Sequence, residues 1–161
     1  MDHSIDIMDN AVSFQSSLRR FDKKAGAFYM IVPDEVAIQF VSGRKPERVR
    51  CRLNGSVDFQ CAIRPMSDGQ FYINLATGIR QKAKIKLGDN LTASVVKDDS
   101  EYGRDMPEEL TALLEQDPEG NRLFQQLPGS HQRGIIHYVA SAKSVQVRID
   151  RALKMINRLK V

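Results

Sequence analysis

Two hydrophobic periods divide this chain. Through roughly the first hundred residues, apolar and polar positions alternate in short runs bounded by turn residues; after residue 107 the apolar positions recur at helical spacing. The clearest case of alternation is residues 47–63. Val49, Cys51 and Leu53 alternate with Arg48, Arg50 and Arg52, then Val57, Phe59, Cys61 and Ile63 repeat the pattern beyond Asn54-Gly55. Asn-Gly favours the tight type I′ turn, so the segment predicts a hairpin with one apolar face and one arginine-bearing face. Upstream, Phe14 and Leu18 lie in an extended stretch, and a polar break at residues 22–26 precedes the apolar run Ala27 to Val32. A run of that length, stopped by Pro33, predicts a strand buried on both faces. Pro33-Asp34-Glu35 then opens a short helix with proline at its first position, ended by Gly43. Residues 65–69 make a turn into a third strand carrying Phe71, Ile73 and Leu75. A basic segment, 78–86, and a Gly88-Asp89 turn lead to a last strand over 91–97.

Residues 98–105 are polar and read as a linker between two domains, 12–100 and 106–161. Beyond the linker, Leu110, Leu113 and Leu114 share one helix face, and Asp117-Pro118-Glu119 supplies a cap, a proline and an acidic first turn for a second helix. Ser130 is placed to cap a third helix, running to about Ala142. In a fourth helix from Val145, the residues Val145, Ile149, Ala152, Leu153, Ile156 and Leu159 form one stripe, expected to serve as core. Arg148, Arg151, Lys154 and Arg158 fall on the opposite face. The expected class is α+β: a small β-barrel with short helices, followed by a C-terminal bundle of short helices and no strand.

Charge is distributed unevenly along this frame. The net charge of +4 resolves into fifteen basic and twelve acidic side chains over residues 1–100, one and seven over 101–119, and eight and one over 120–161. Carboxylates at the start of a helix are favoured by the helix dipole, so the acidic stretch has a structural reason. The chain has no apolar run of the roughly 20 residues needed to span a bilayer, and Met1–Asn10 carry Asp2, Asp6 and Asp9 rather than a secretory pattern. With two cysteines and no such signal, a reducing cytoplasm is the expected location.

Catalytic and metal chemistry find little support. Ser130 and His131 are adjacent, and neighbouring side chains on a helix point about 100° apart, a poor arrangement for a nucleophile and its base. His131 is expected to be partly buried beside Ile135 and Val139. His131 and His137 are six residues apart, about 240° around a helix, and cannot share a metal from one face. Cys51 and Cys61 are expected to be reduced, buried small hydrophobes, kept apart because the Asn54-Gly55 register places Cys51 opposite residues near Asp58. Neither a cofactor nor a catalytic residue is expected. Three basic groups remain as candidate binding surfaces: Arg48, Arg50 and Arg52; Arg80, Lys82, Lys84 and Lys86; and the last helix. Clusters of this kind bind phosphates. Set against this, Asp58 can pair across the strand, and no aromatic residue is interleaved with the basic segment for stacking on bases.

Ile31-Val32-Pro33-Asp34-Glu35-Val36, the hairpin 49–63 and Ile85-Lys86-Leu87-Gly88-Asp89-Asn90-Leu91 resemble a bacterial domain of unknown function with a double-split β-barrel, related in fold to the AbrB and MazE transcription-factor domains. Pro107-Glu108-Glu109-Leu110, Leu127-Pro128, Ser130-His131, Ala142-Lys143, Arg148 and Arg151 are similar to the YdeI/OmpD-associated, bacteriocin-protection helical domain. Tyr138 and Val147 depart from the helical pattern, standing where tryptophan and threonine are usual, and Lys84 departs from the barrel pattern, standing where a small residue ends the basic segment. The resemblance adds His131, Arg148 and Arg151 to the candidate surface and carries over no catalytic residue. It implies a non-enzymatic protein that binds a protein or small ligand in stress protection. The alternative is an AbrB-like nucleic-acid binder using the barrel's basic residues. Membrane insertion is not expected, since the last helix has no Trp or Phe on its apolar stripe.

Overall fold

The computed structural model describes residues 10–22 and 27–161. Asp2, Asp6 and Asp9 and most of the 22–26 break lie outside the described residues. The chain divides into two compact units, with the break between Asp98 and Asp99.

The first unit is a nearly closed antiparallel barrel. Its strands are β1 (Val12–Ser17), β2 (Arg19–Arg20), β3 (Phe28–Val32), β4 (Glu47–Leu53), β5 (Val57–Pro65), β6 (Phe71–Asn74) and β7 (Asn90–Lys97), in the order β1-β7-β4-β5-β6-β3-β2. Closure comes from one bend. Leu18, 1% exposed, separates β1 from β2, so consecutive residues leave the β7 edge and join the β3 edge. Backbone bonds from Leu18 N to Asp89 O and from Gly88 N to Leu18 O, both 2.9 Å, hold the bend, and Ser16 Oγ donates to Ile31 O at 2.7 Å. The hairpin forms with Arg52 opposite Asp58, Cys51 opposite Phe59 and Val49 opposite Cys61, one residue away from the pairing of a two-residue loop, because Ser56 joins Asn54-Gly55 between the strands. Both turn residues take positive φ, 51° at Asn54 and 73° at Gly55, as a type I′ turn requires. Alternate residues point inward: Val49, Cys51, Leu53, Ile63, Met30, Val32, Ile73, Ala93 and Val95 form the core.

Two short helices complete the unit. In α1 (Asp34–Ala37), Pro33 is the cap residue rather than the first helical position, and Val36 and Ala37 are buried. The basic segment folds as α2 (Thr77–Ala83), whose Ile79 and Ala83 pack on the barrel core, and Lys84 closes it in a left-handed conformation with φ 56°. The thiols need a correction. Cys51 is buried but Cys61 is only half-buried, and the pair are diagonal neighbours on the inner face rather than kept apart. The Cys61 thiol hydrogen-bonds to Cys51 and, with burial, holds the Cys51 pKa well above its usual value.

In the second unit, four helices surround a separate core: α3 (Glu108–Gln116), α4 (Pro118–Gln126), α5 (Gly129–Ala140) and α6 (Val145–Leu159). Leu110, Leu114, Phe124, Ile136, Val139, Ala152 and Ile156 form that core. Asp117 caps α4 by accepting from Gly120 N at 2.9 Å, and Ser144 caps α6 by accepting from Val147 N at 3.2 Å. Ser130 is not a cap. Pro128 holds that position, because the helix begins one residue early at Gly129 and carries Ser130 into its first turn. The segment read as a linker is partly structural, for Tyr102 packs on Phe124 at 5.6 Å and accepts from Gln125 Nε2 at 2.8 Å.

Candidate functional site

A concavity in the helical unit lies between α3 and α6. It encloses about 510 Å³, with Ala112 and Leu113 on one side and Val145, Ile149, Ala152 and Leu153 on the other. The stripe expected to be all core is divided. Ala152 and Ile156 are buried, whereas Val145, Ile149 and Leu153 remain 57%, 37% and 41% exposed. The reason is geometric: α3, α4 and α5 all pack on α6, yet they meet only the part of its apolar surface that contains Ala152 and Ile156. The rest opens into the groove.

Its polar edge is Glu108, Glu109 and Gln116 from α3 with Arg148 from α6. α3 contains three glutamates and no basic residue. Arg148 Nε donates to Glu109 Oε1, and Arg148 Nη1 donates to Ala142 O at 3.0 Å. That guanidinium bond holds the Glu109 carboxyl below the usual glutamate range. Arg151 is likewise committed, with Nη1 bonded to Tyr138 O at 2.8 Å and Ser141 Oγ at 3.1 Å, and its guanidinium 4.5 Å from the Tyr138 ring centre. Both arginines therefore tie α6 to its neighbours. Neither projects freely from an opposite face. His131 is exposed in the first turn of α5 rather than partly buried, because that turn precedes the contact made by Ile135, Ile136 and Val139.

On the barrel, local partners hold several candidates. Arg52 makes a two-pronged pair with Asp58 at 2.6 and 2.9 Å. Arg50 lies 3.6 Å from Asp98, whose carboxylate is fully buried and also accepts from Gln60 Nε2 at 3.1 Å. Arg48 is half-buried on the same strand. Arg80 donates to Leu75 O at 2.6 Å and to Thr77 Oγ1 at 3.1 Å, with its guanidinium 3.9 Å from the Phe28 ring centre. Lys82, Lys84 and Lys86 are exposed. Sequence reasoning missed the groove residues Leu113, Val145, Ile149 and Leu153, because periodicity identifies an apolar stripe without showing what covers it.

Among the described residues, no helix is long and apolar enough to cross a membrane. No curated protein matches the chain at a significant level. Residues 104–160, covering the helical unit, match the family described as Bacteriocin-protection, YdeI or OmpD-Associated. Residues 14–95 match the Domain of unknown function (DUF1905) from the first barrel strand into the last. That match takes in about half of the sequence, and the chain belongs to the DUF1905 family, carrying a YdeI/OmpD-associated domain after its barrel.

Proposed function

We propose that this protein is a non-catalytic, cytoplasmic interaction module that acts in stress protection by holding a protein partner's amphipathic helix in the α3–α6 groove. The observation carrying this reading is the exposed line Val145, Ile149 and Leu153. These residues are spaced at i, i+4 and i+8, so they run about 12 Å along one side of α6. Apolar side chains in a line beside a groove suit the side-by-side packing of a second helix, which presents its own i and i+4 anchors. Charge defines the partner further. The acidic α3 edge, with Glu109 held by Arg148, leaves exposed Glu108 for a basic residue flanking the partner's apolar anchors. The non-catalytic reading is supported by Ser130 and His131, which both face solvent at the start of α5. The bacteriocin-protection description of the helical family supplies the protective context.

A synthetic helical peptide with leucines at i, i+4 and i+8 and lysine flanks tests the proposal by fluorescence anisotropy. The expected result is saturable binding, weakened at least tenfold by Leu153→Glu and by replacing the lysine flanks with glutamates. Undiminished binding to a folded Leu153→Glu variant would overturn it. So would a small apolar dye that fills the groove while the peptide fails to bind.

A further inference from the structure

We infer that the outer face of strands β5, β6, β3 and β2 is a stacking platform for single-stranded nucleic acid. It follows from register and alternation. Met30, Val32 and Ile73 are fully buried, so Tyr29, Ile31, Tyr72 and Asn74 point the other way, out of the barrel. Cross-strand pairing places Arg19 beside Tyr29 and Asn74 in one row, and Ile31 beside Tyr72 and Arg64 in the next. Phe21 follows Arg19 by two residues and lies on the same face. Its ring stacks on Tyr29 with centroids 4.1 Å apart and planes at 26°. Tyr72 meets Phe21 and Tyr29 edge-on at 5.4 and 6.0 Å.

Three half-buried aromatic rings thus form one patch on the outside of a sheet, with an arginine at each end. The four strands span about 14 Å from Arg64 to Arg19 at the normal inter-strand spacing. Such a width accommodates two or three bases, the number that aromatic-bearing sheet faces stack in single strands. Among the described residues, neither Arg19 nor Arg64 is engaged in an ion pair, and Asp22 is the carboxylate nearest in sequence to the patch. Rings stack on any base, and guanidinium groups at both ends meet the flanking phosphates. A duplex would keep its bases paired inside and offer the rings nothing. The platform is independent of the α3–α6 groove, and also of Arg50, Arg52 and Arg80, which have local partners.

Fluorescence anisotropy of the full chain with labelled U10 RNA, dT10 and a ten-base-pair duplex, at 50 and 200 mM salt, tests the inference. Single strands should bind at least tenfold more tightly than the duplex. Tyr72→Leu and Tyr29→Leu should each weaken binding about tenfold, whereas Tyr72→Phe should retain it. Arg64→Gln or Arg19→Gln should reduce the steepness of the log–log salt dependence by about 0.7. Circular dichroism confirms folding of each variant, and the salt slope gives a readout even if a tyrosine variant unfolds. Equal binding of duplex, full affinity in folded Tyr72→Leu, or an unchanged slope in Arg64→Gln would overturn the inference. Uridine monophosphate should displace U10 only at far higher concentration; displacement at equal concentration would identify a free-nucleotide site and overturn the strand reading.

Discussion

Gly120→Ala tests how tightly the helical unit is fitted together. Gly120 is buried in the first turn of α4, and a Cβ there would stand 2.6 Å from Ile156 Cγ2 and 2.7 Å from Asp117 Oδ2. Neither neighbour can easily yield. Ile156 is fully buried, and Asp117 caps α4 through Gly120 N while accepting from Lys160 Nζ at 2.6 Å. Overpacking of this kind costs about 1–3 kcal/mol, and disturbing the cap adds about 1 kcal/mol. Alanine's better helix propensity offsets about 1 kcal/mol. The net destabilisation is about 1–3 kcal/mol, which in a unit of this size lowers the melting temperature by on the order of 10 °C. Thermal and urea unfolding followed at 222 nm measure it. Leucine at position 156 lacks the branching methyl that the new Cβ would strike, so Ile156→Leu should recover part of the loss in the double variant. Melting of Gly120→Ala at or above the parent temperature would refute the packing argument, as would purely additive effects in the double variant.

Acid should loosen the helical unit through two carboxylates. The Lys160 ammonium and Gly120 N–H lower the pKa of Asp117, and Arg148 lowers that of Glu109. A depressed folded pKa gives stability that is fully present above the unfolded value of about 4 and is lost as pH falls through the folded value. Asp117→Asn and Glu109→Gln should therefore flatten the acid limb of the 222 nm unfolding profile; an unchanged limb would contradict the assignment. The thiols should react in order. Cys61, half-buried, labels first with a thiol reagent, whereas Cys51, buried and with a raised pKa, labels only on unfolding. Simultaneous rapid labelling of both in the native protein would refute this.

Much of the barrel was legible in the sequence because alternation and turn chemistry act locally. Asn54-Gly55 marked the hairpin turn, and matching the apolar faces of the two strands, with Ser56 also in the loop, brought Asp58 opposite Arg52. The switch to helical spacing after residue 107 likewise located the second unit. Periodicity could not show that α6 would bury Ala152 and Ile156 while leaving Val145, Ile149 and Leu153 at the surface, since that depends on where neighbouring helices cross it. Arg148 and Arg151 also looked like free basic charge until their acceptors, a glutamate 39 residues away and carbonyls at the end of α5, came into place. The aromatic patch was harder still. Phe21, Tyr29 and Tyr72 meet only through the β2–β3 and β3–β6 pairings, which no local pattern encodes. At Ser130, a residue type favoured at helix starts lies inside the first turn instead, because the helix begins at Gly129 with Pro128 in the cap position.

The most direct test of the interaction-module account is a methyl-resolved NMR titration of the full chain with the lysine-flanked amphipathic peptide. The account predicts saturable shifts of the Val145, Ile149, Leu153 and Leu113 methyls, with the barrel-core methyls of Val49 and Val95 unmoved. Shifts confined to barrel residues, or none at all at millimolar peptide, would contradict it.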